Sequence, residues 1–288
     1  MIYADIPLSD AVREAVASAW GVSGGRAERL HGGEESAAYQ IGDAVVRIGP
    51  ETRPDAEAEW CHALARHAAA SLPEAVAPLP TADGATVLRV AGRPVSVWPY
   101  VAGTWPDTAL RTEAAALLAR LHRALATASP GPRPVPAFVE HGMDGTPQDH
   151  LPDPELDRWL GEFHGKHAVQ PLHGDYYAGN TLARNGRLTA VLDWDEAYIG
   201  TPEMELASAA LEWGDDDPDL GAEFVAAYFA AGGTAGRLDA VSLAQLTRHR
   251  LRRESVYFHE AVRRGVRHSA EDVAYHRARD ALFHALRP

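Results

Sequence analysis

Three side chains that carry oxygen lie close together near the middle of the chain. Asp175 comes two residues after His173, Asn180 follows five residues later, and Asp193 ends the apolar run LTAVLDW. A carboxylate can orient and deprotonate a hydroxyl group, and carboxylate and amide oxygens can hold Mg²⁺ against phosphate groups. Transfer of a phosphoryl group to a hydroxyl requires a set of this kind.

The order and spacing of these residues are more specific than any one of them. Alone, Asp175 would be read as a turn cap, Asn180 as a turn residue and Asp193 as the end of a strand. Together they follow the pattern H-x-D-x-x-x-x-N with a later Asp, which is the pattern of a kinase catalytic loop and its metal-binding motif. An Asn-Gly pair at 185–186 predicts a hairpin turn between the two motifs. We interpret the segment as a phosphoryl-transfer site.

The segments LHGDYYAGNTL and LTAVLDWDEAYIGTPEMELA resemble the signature of the aminoglycoside phosphotransferase and choline-kinase-like family of small-molecule kinases. The family loop reads H-G-D-x-x-x-x-N, and its metal motif begins Asp-Trp or Asp-Phe. The resemblance implies an α+β, two-lobed protein-kinase-like fold, with a small antiparallel-sheet N-terminal lobe and a larger, mostly helical C-terminal lobe. It also implies that ATP or GTP, with Mg²⁺, phosphorylates a hydroxyl of a small molecule.

The resemblance assigns roles to the central residues. Asp175 is the general base or hydroxyl-orienting group, and Asn180 and Asp193 bind Mg²⁺. His173 supports the loop from beneath. Glu205 stands where the family commonly carries an aspartate that bonds the loop's backbone, and its longer side chain is a departure from the family pattern.

The N-terminal part contains candidate nucleotide-binding residues. In HGGEES, at 31–36, glycines let the backbone approach phosphates, and we expect Ser36 to face them. The strand VVRI places Arg47 where protein kinases carry a phosphate-binding lysine. We expect Glu57 to pair with Arg47, with Glu59 as the alternative. The sequence contains neither a Walker P-loop nor a Rossmann G-x-G-x-x-G after a strand.

The segment VWPYVAG at 97–103 matches the family's hinge between lobes. By this alignment, the carbonyl of Pro99 and the amide of Val101 read the nucleotide base, because proline retains its carbonyl acceptor. Trp98 would border the base pocket, although an aromatic residue in a strand is often part of the core.

Acidic residues dominate the surface and suggest the nature of the acceptor. The net charge of −13 disfavours nucleic acid and anionic membranes and would attract a cationic substrate. We expect an acidic segment at 212–219 to contribute to the acceptor site, although Asp217 or Asp219 can cap a helix beside Pro218. The candidate acceptor residues are Asp195, Glu196, Asp215, Asp216, His259 and Glu260.

The chain of 288 residues is long enough for two lobes, and we place their boundary so that residues 1–101 form the first and 102–288 the second. Helices are predicted at 8–20, 54–70, 109–126, 153–165, 203–213, 218–231 and 238–286, the last broken near Gly265. Two strands are predicted between 30 and 49, and two more around 85–103. A single cysteine, Cys61, excludes an internal disulfide.

We see no signal peptide or membrane-spanning run, and we expect a cytoplasmic monomer or homodimer. The leading hypothesis is a phosphotransferase that inactivates a cationic antibiotic, either an aminoglycoside or a tuberactinomycin-type peptide. The alternatives are a metabolic kinase for choline, homoserine, a fructosamine or a sugar, and a kinase-like binding protein without turnover. A protein kinase is disfavoured, because Asp-Phe-Gly and Ala-Pro-Glu motifs are missing from the sequence.

Overall fold

The N-terminal part of the chain forms one antiparallel sheet. The computed structural model of the protein describes residues 5–30 and 35–288. The strand order in the sheet is β1-β2-β3-β5-β4. The strands are β1 Glu28–Leu30, β2 Ala37–Ile41, β3 Ala44–Ile48, β4 Leu88–Val90 and β5 Arg93–Pro99. The region between 30 and 49 therefore holds the two predicted strands, β2 and β3, and the additional strand β1 ends where this region begins.

Strand periodicity decides which face of this sheet carries polar chemistry. Ala44, Val46 and Ile48 of β3 are buried on one face, against helix α1 (Asp10–Trp20). Because side chains alternate along a strand, Arg47 lies on the opposite face. Helix α2 (Asp55–Ala69) follows β3 in the chain. The sheet thus presents Arg47 away from its apolar core.

Helices make up most of the C-terminal part, together with short strands. The helices are α3 Arg111–Leu125, α4 Pro154–His164, α5 Pro202–Trp213, α6 Pro218–Ala230, α7 Ala240–Arg263 and α8 Ala270–Ala285. The strands are β6 Gln170–Leu172, β7 Thr181–Arg184, β8 Arg187–Val191 and β9 Tyr198–Gly200. The predicted α+β class, with its small antiparallel sheet and larger helical part, is confirmed.

Local sequence signals explain where several helices begin and end. Ser9 caps α1, and Asp153 and Asp217 cap helices that have proline in their first turn. The predicted break near Gly265 is present between α7 and α8, and Gly265 has a φ of 86°. The predicted hairpin turn joins β7 to β8, with positive φ at both Asn185 and Gly186.

Two small antiparallel sheets of the C-terminal part present the candidate motifs. Strand β6 pairs with β9, and β7 pairs with β8 in a hairpin. The catalytic loop (173–180) follows β6, and the Asp-Trp-Asp segment (193–195) lies between β8 and β9. The two motifs are therefore neighbours in space because their flanking strands pair in both sheets.

The segment after β5 connects the sheet to the helical part. Thr104 and Ala183 of β7 exchange backbone hydrogen bonds of 3.0 and 2.8 Å. Any side chain at Gly103 would meet this hairpin, because a Cβ there would lie 3.0 Å from the carbonyl oxygen of Ala183. The lobe boundary after residue 101 falls in this connection and stays a prediction.

Within the described ranges, no helix has both the length and the apolar character that crossing a bilayer requires.

Candidate active site

The catalytic loop is held close to the Asp-Trp-Asp segment by a glycine. Gly174 has a φ of +87°, in the left-handed region that glycine favours. A Cβ at this position would lie 2.0 Å from the carbonyl oxygen of Glu196. The backbones of the two motifs can approach each other only because residue 174 has no side chain.

Both oxygens of the Asp175 carboxylate are hydrogen-bonded. The side-chain amide of Asn180 donates to Oδ2 at 2.8 Å and to the Asp175 carbonyl at 2.9 Å. A guanidinium nitrogen of Arg250, on α7, donates to Oδ1 at 2.9 Å. These contacts fix the orientation of a half-buried carboxylate. Arg250 was not predicted from the sequence to be a site residue, because its partner Asp175 lies 75 residues earlier in the chain.

Glu205 contacts the backbone of the catalytic loop, as the resemblance implied. Its carboxylate accepts hydrogen bonds from the amide of His173 at 3.1 Å and from the amide of Gly174 at 2.6 Å. The ring of His122 also bonds it, at 2.9 Å. Burial alone would raise the pKa of Glu205, but His122, His173 and the Gly174 amide outweigh burial and lower it. The buried carboxylate is therefore charged and fully engaged with the loop.

His173 lies beneath the loop. Its Nε2 bonds the carbonyl of Leu192 at 2.9 Å, and its Nδ1 accepts from the amide of Asp175 at 3.3 Å. Its ring also packs near Trp194, with centroids 4.8 Å apart. His173 therefore joins the catalytic loop to the end of β8, which is the position expected of a supporting residue.

Asp193 adopts a strained conformation at the end of β8. Its φ is 57°, a left-handed value that aspartate tolerates better than most residues. Burial and the neighbouring carboxylates of Asp195 and Asp175 raise its pKa, while Arg47 lowers it. A carboxylate in such surroundings favours a nearby cation.

Arg47 extends from β3 into the same site. It lies 3.2 Å from Asp193 and 3.0 Å from Asp195. It also donates to the hydroxyl of Ser36 at 3.4 Å, and its guanidinium carbon lies 5.9 Å from the Trp98 ring centroid. The structure thus joins the sheet residues predicted to bind phosphate with the Asp-Trp-Asp segment.

The predicted pair between Arg47 and a glutamate of α2 is wrong. Glu57 instead accepts from Arg133 at 3.0 Å and lies 3.6 Å from Arg53. Glu59 accepts hydrogen bonds from the backbone amides of residues 86 and 87 and from the Thr86 hydroxyl. Because these partners occupy both glutamates, the charge of Arg47 is balanced by the Asp-Trp-Asp segment.

A cleft that is open to solvent lies between these groups. Its walls combine residues of the sheet, the catalytic loop, the Asp-Trp-Asp segment and α7. The lining residues are Glu35, Ser36, Arg47, Asp175, Asp193, Asp195, Glu196 and Tyr257. Burial raises the pKa of Glu196, whose carboxylate accepts from the amide of Phe138 at 2.9 Å. Residues 31–34 of the predicted glycine loop lie outside the described residues.

The site fits a magnesium ion that is shared with nucleotide phosphates. Among the described residues, no group of three or more His, Cys, Asp or Glu side chains could hold a metal without other ligands. Magnesium commonly takes only one or two carboxylates, and phosphates and water complete its shell. The raised pKa of Asp193 and the amide of Asn180 beside Asp175 fit that smaller set of ligands.

The predicted base-binding residues lie at the end of β5. Pro99 pairs in register with Ala44. Trp98 is buried, and its indole donates to the Ser96 hydroxyl at 2.8 Å. Val101 is half-buried in the connection that follows. Contact of these residues with a nucleotide base stays a prediction.

Several candidate acceptor residues lie away from the cleft lining. Asp216 forms an ion pair with Arg279 at 2.9 Å, and Asp215 is exposed. His259 is exposed, and its ring lies 4.6 Å from that of His150, between centroids. Glu260 is also exposed. Helical periodicity explains the positions of His259 and Glu260, because on α7 it is Tyr257 that lines the cleft.

Comparisons with known proteins agree with this geometry. Residues 26–240 match the phosphotransferase enzyme family, APH. Hygromycin-B 4-O-kinase of Escherichia coli is 46% identical over 37 residues, which are 13% of this chain and 11% of that enzyme's length. The local match therefore spans only a small part of that relative.

Solved structures show the same fold over nearly the whole chain. Amicoumacin kinase in complex with AMP-PNP, Ca²⁺ and Ami superposes with a TM-score of 0.73 at 14% identity, covering 96% of this chain and 93% of that one. A choline/ethanolamine kinase family protein from Mesorhizobium loti gives a TM-score of 0.65 at 18% identity, covering 96% and 94%. The family match covers most of the chain, so the protein belongs to the phosphotransferase enzyme family and is a small-molecule phosphotransferase with a kinase-like fold.

Proposed function

We propose that this protein transfers the γ-phosphoryl group of ATP to a hydroxyl of a small-molecule antibiotic. The observation that carries the proposal is the convergence of Asp175, Asp193 and Arg47 on one cleft from three separate elements. The AMP-PNP bound to amicoumacin kinase supports ATP rather than GTP as the nucleotide. We expect the protein to act in the cytoplasm, where ATP is available.

Each residue has a distinct task in this proposal. Asp175 orients the acceptor hydroxyl and takes its proton as the oxygen attacks the γ-phosphorus, while the bond from the γ-phosphorus to the β,γ-bridging oxygen breaks and ADP leaves. Arg47 binds phosphate oxygens, because its fork of N–H donors matches their geometry. Asn180 and Asp193 would hold Mg²⁺, which supplies positive charge to the phosphates when it is bound. Trp98, Pro99 and Val101 would contact the base, and Ser36 the phosphates.

An antibiotic acceptor is favoured over a metabolic alcohol by the local match to hygromycin-B 4-O-kinase. A strongly polycationic acceptor receives less support from the acidic segment at 212–219 than its composition suggested. Asp216 and Glu212 are both paired with Arg279, at 2.9 and 2.6 Å. Asp195 and Glu196 both line the cleft. Because Arg47 bonds both carboxylate oxygens of Asp195, Glu196 is the candidate for contact with the acceptor.

A panel assay tests the proposal. ATP consumption would be measured with Mg²⁺ against aminoglycosides, peptide antibiotics and small metabolic alcohols, and products would be identified by mass. We expect phosphorylation of an antibiotic by the wild type, and none by Asp175→Asn, which keeps the shape of the side chain and still binds ATP. Turnover of a metabolic alcohol alone would replace the acceptor class. Full activity of the Asp175→Asn variant would refute the assigned chemistry.

A further inference from the structure

The carboxylate of Asp195 lies between two arginines of the sheet region. Its Oδ2 is 3.0 Å from Nη2 of Arg47 and 2.5 Å from Nη1 of Arg53. The three side chains are 27%, 17% and 12% exposed, respectively, so solvent screens these contacts only partly. Although burial raises the pKa of Asp195, Arg47 and Arg53 outweigh it and bring the pKa to about 2.

The backbone of Asp195 is also fixed by arginines. Its carbonyl oxygen accepts from Arg53 at 3.0 Å and from Arg133 at 3.0 Å. The carboxylate of Glu57 contacts Nη2 of each of those two arginines, the nitrogens that also donate to the Asp195 carbonyl. Glu57 of α2 therefore acts on Asp195 through Arg53 and Arg133. Asp195, and not Glu57, contacts Arg47.

Arg47 contacts the carboxylates of Asp193 and Asp195, and a bound metal ion would compete with Arg47 for only the first of them. In the proposed function, Asp193 binds the metal ion, which would compete with Arg47 for its oxygens. Asp195 has no such assignment and holds Arg47 at two nitrogens, at 3.0 and 3.5 Å. A guanidinium that is held at two nitrogens keeps the orientation of its plane, and that orientation decides how its N–H groups meet phosphate oxygens.

We propose that Asp195 is the positioning residue for Arg47 and performs the task that the sequence assigned to Glu57. This inference rests on the proposed function, in which Arg47 binds the phosphates of ATP. Asp195 does not contact the acceptor in this assignment. It holds the guanidinium in place before and after the metal ion and nucleotide bind.

A double-mutant cycle tests the proposal, with ATP affinity as its readout. Titration of the full chain with ATP in EDTA, and again with Mg²⁺, requires no acceptor. We expect Asp195→Asn to weaken ATP binding about 5- to 20-fold in both conditions, because the charge-assisted contacts to Arg47 are lost. In an Arg47→Met background, the same substitution should change affinity less than about twofold, because its effect passes through Arg47.

Matched variants separate positioning from general damage. Asp55→Asn removes a carboxylate of α2 that pairs with the more exposed Arg89, and we expect it to leave ATP affinity unchanged. Glu57→Gln should couple to Arg47 more weakly than Asp195→Asn does. Asp195→Glu keeps the charge if the amide variant folds poorly, as judged by circular dichroism, and should retain more affinity than the amide variant.

ATP binding by the wild type and by Asp195→Asn separates a failure of the positioning role from a failure of the proposed function. A wild type that does not bind ATP would refute the proposed function itself. A wild type that binds ATP, with unchanged or tighter binding by Asp195→Asn, would refute only the positioning role. Equal effects of Asp195→Asn with and without Arg47 would also overturn it, because they would place the action of Asp195 elsewhere.

Discussion

Arg250 and Asp175 form an ion pair of 2.9 Å that ties the catalytic loop to helix α7. The guanidinium of Arg250 also bonds Glu254, one turn further along α7. Glu254 is in turn paired with Arg279 of α8. Acidic and basic side chains therefore alternate from Asp175, the proposed general base, to Arg279 of α8. Within this series, Arg250 bonds Oδ1 of Asp175, and Asn180 bonds Oδ2.

This pair predicts a role for Arg250 in orienting Asp175. Once an acceptor is identified, Arg250→Gln should lower kcat about 10- to 100-fold, because a mispositioned base loses much of its catalytic contribution. The KM for ATP should stay within about twofold, since Arg250 is not among the proposed nucleotide contacts. Steady-state kinetics measure both parameters.

Arg263→Gln provides the control, because Arg263 is exposed and bonds only a carbonyl of its own helix among the hydrogen bonds described. An Arg250→Gln enzyme with wild-type kcat would show that Asp175 is oriented sufficiently by Asn180 alone. An Arg250→Lys enzyme should keep part of the activity.

Gly174 predicts a second, steric requirement of the site. Gly174→Ala should reduce the free energy of unfolding by about 3 kcal/mol or more and abolish transfer, because its Cβ meets the backbone of Glu196 and its φ is left-handed. Urea unfolding monitored by fluorescence measures the loss.

Gly131→Ala is the matched control, because a Cβ there meets no atom within 4 Å. Its stability should change by less than about 0.5 kcal/mol. A Gly174→Ala protein as stable and active as this control would mean that the two motifs do not approach as closely as described.

Asp217 has a structural task that the acidic composition around it conceals. Its carboxylate accepts from the backbone amides of Asp219 at 2.8 Å and Leu220 at 3.3 Å, and so caps α6. Asp217→Ala should lower stability by about 1 kcal/mol without changing the KM of the acceptor. Chemical denaturation measures the loss of stability, and kinetics across salt concentrations measure the KM of the acceptor. A large, salt-dependent rise in the acceptor KM would restore the idea of a substrate-attracting patch.

His249 predicts how stability depends on pH. Burial and the neighbouring arginines lower its pKa to about 3 in the folded protein, although its hydrogen bond to the Val139 carbonyl opposes this. The unfolded chain takes up a proton near pH 6.5 and the folded protein does not, so the His249 contribution is complete above that pH and is lost as pH falls. This single group should cost about 2 kcal/mol of stability between pH 7.5 and 5.

His249→Gln should remove that part of the pH dependence while keeping a hydrogen-bond donor. Urea midpoints at pH 7.5 and 5 would measure the difference for each variant. The exposed His284→Gln serves as the comparison and should retain the wild-type difference. Identical pH dependence of the His249 variant and the wild type would contradict the neutral, buried assignment.

The sequence predicted the catalytic loop and most elements because their signals are local. The spacing of His173, Asp175 and Asn180 follows from one loop, and caps such as Ser9 act within one helical turn. The resemblance to the small-molecule kinase family implied the α+β class, and Gly265 within a long helical pattern predicted the break there.

Residues whose partners are distant in the chain were harder to assign. Arg47 is separated from Asp195 by 148 residues, and Arg250 from Asp175 by 75. Helical position alone favoured Glu57 for Arg47, because the sequence gives no sign that Arg53 and Arg133 occupy that glutamate. The sequence likewise gives no sign that Arg279 forms an ion pair with Asp216 in the acidic segment at 212–219.

In the proposed reaction, Asp175, Asn180 and Asp193 act on one cation and one γ-phosphoryl group. A crystal structure with AMP-PNP and Mn²⁺, with manganese located by its anomalous scattering, would test this arrangement. We expect a manganese peak coordinated by Asp193 and Asn180, with the γ-phosphate facing Asp175. A metal bound elsewhere, or a γ-phosphate on the opposite side of the cleft from Asp175, would contradict it.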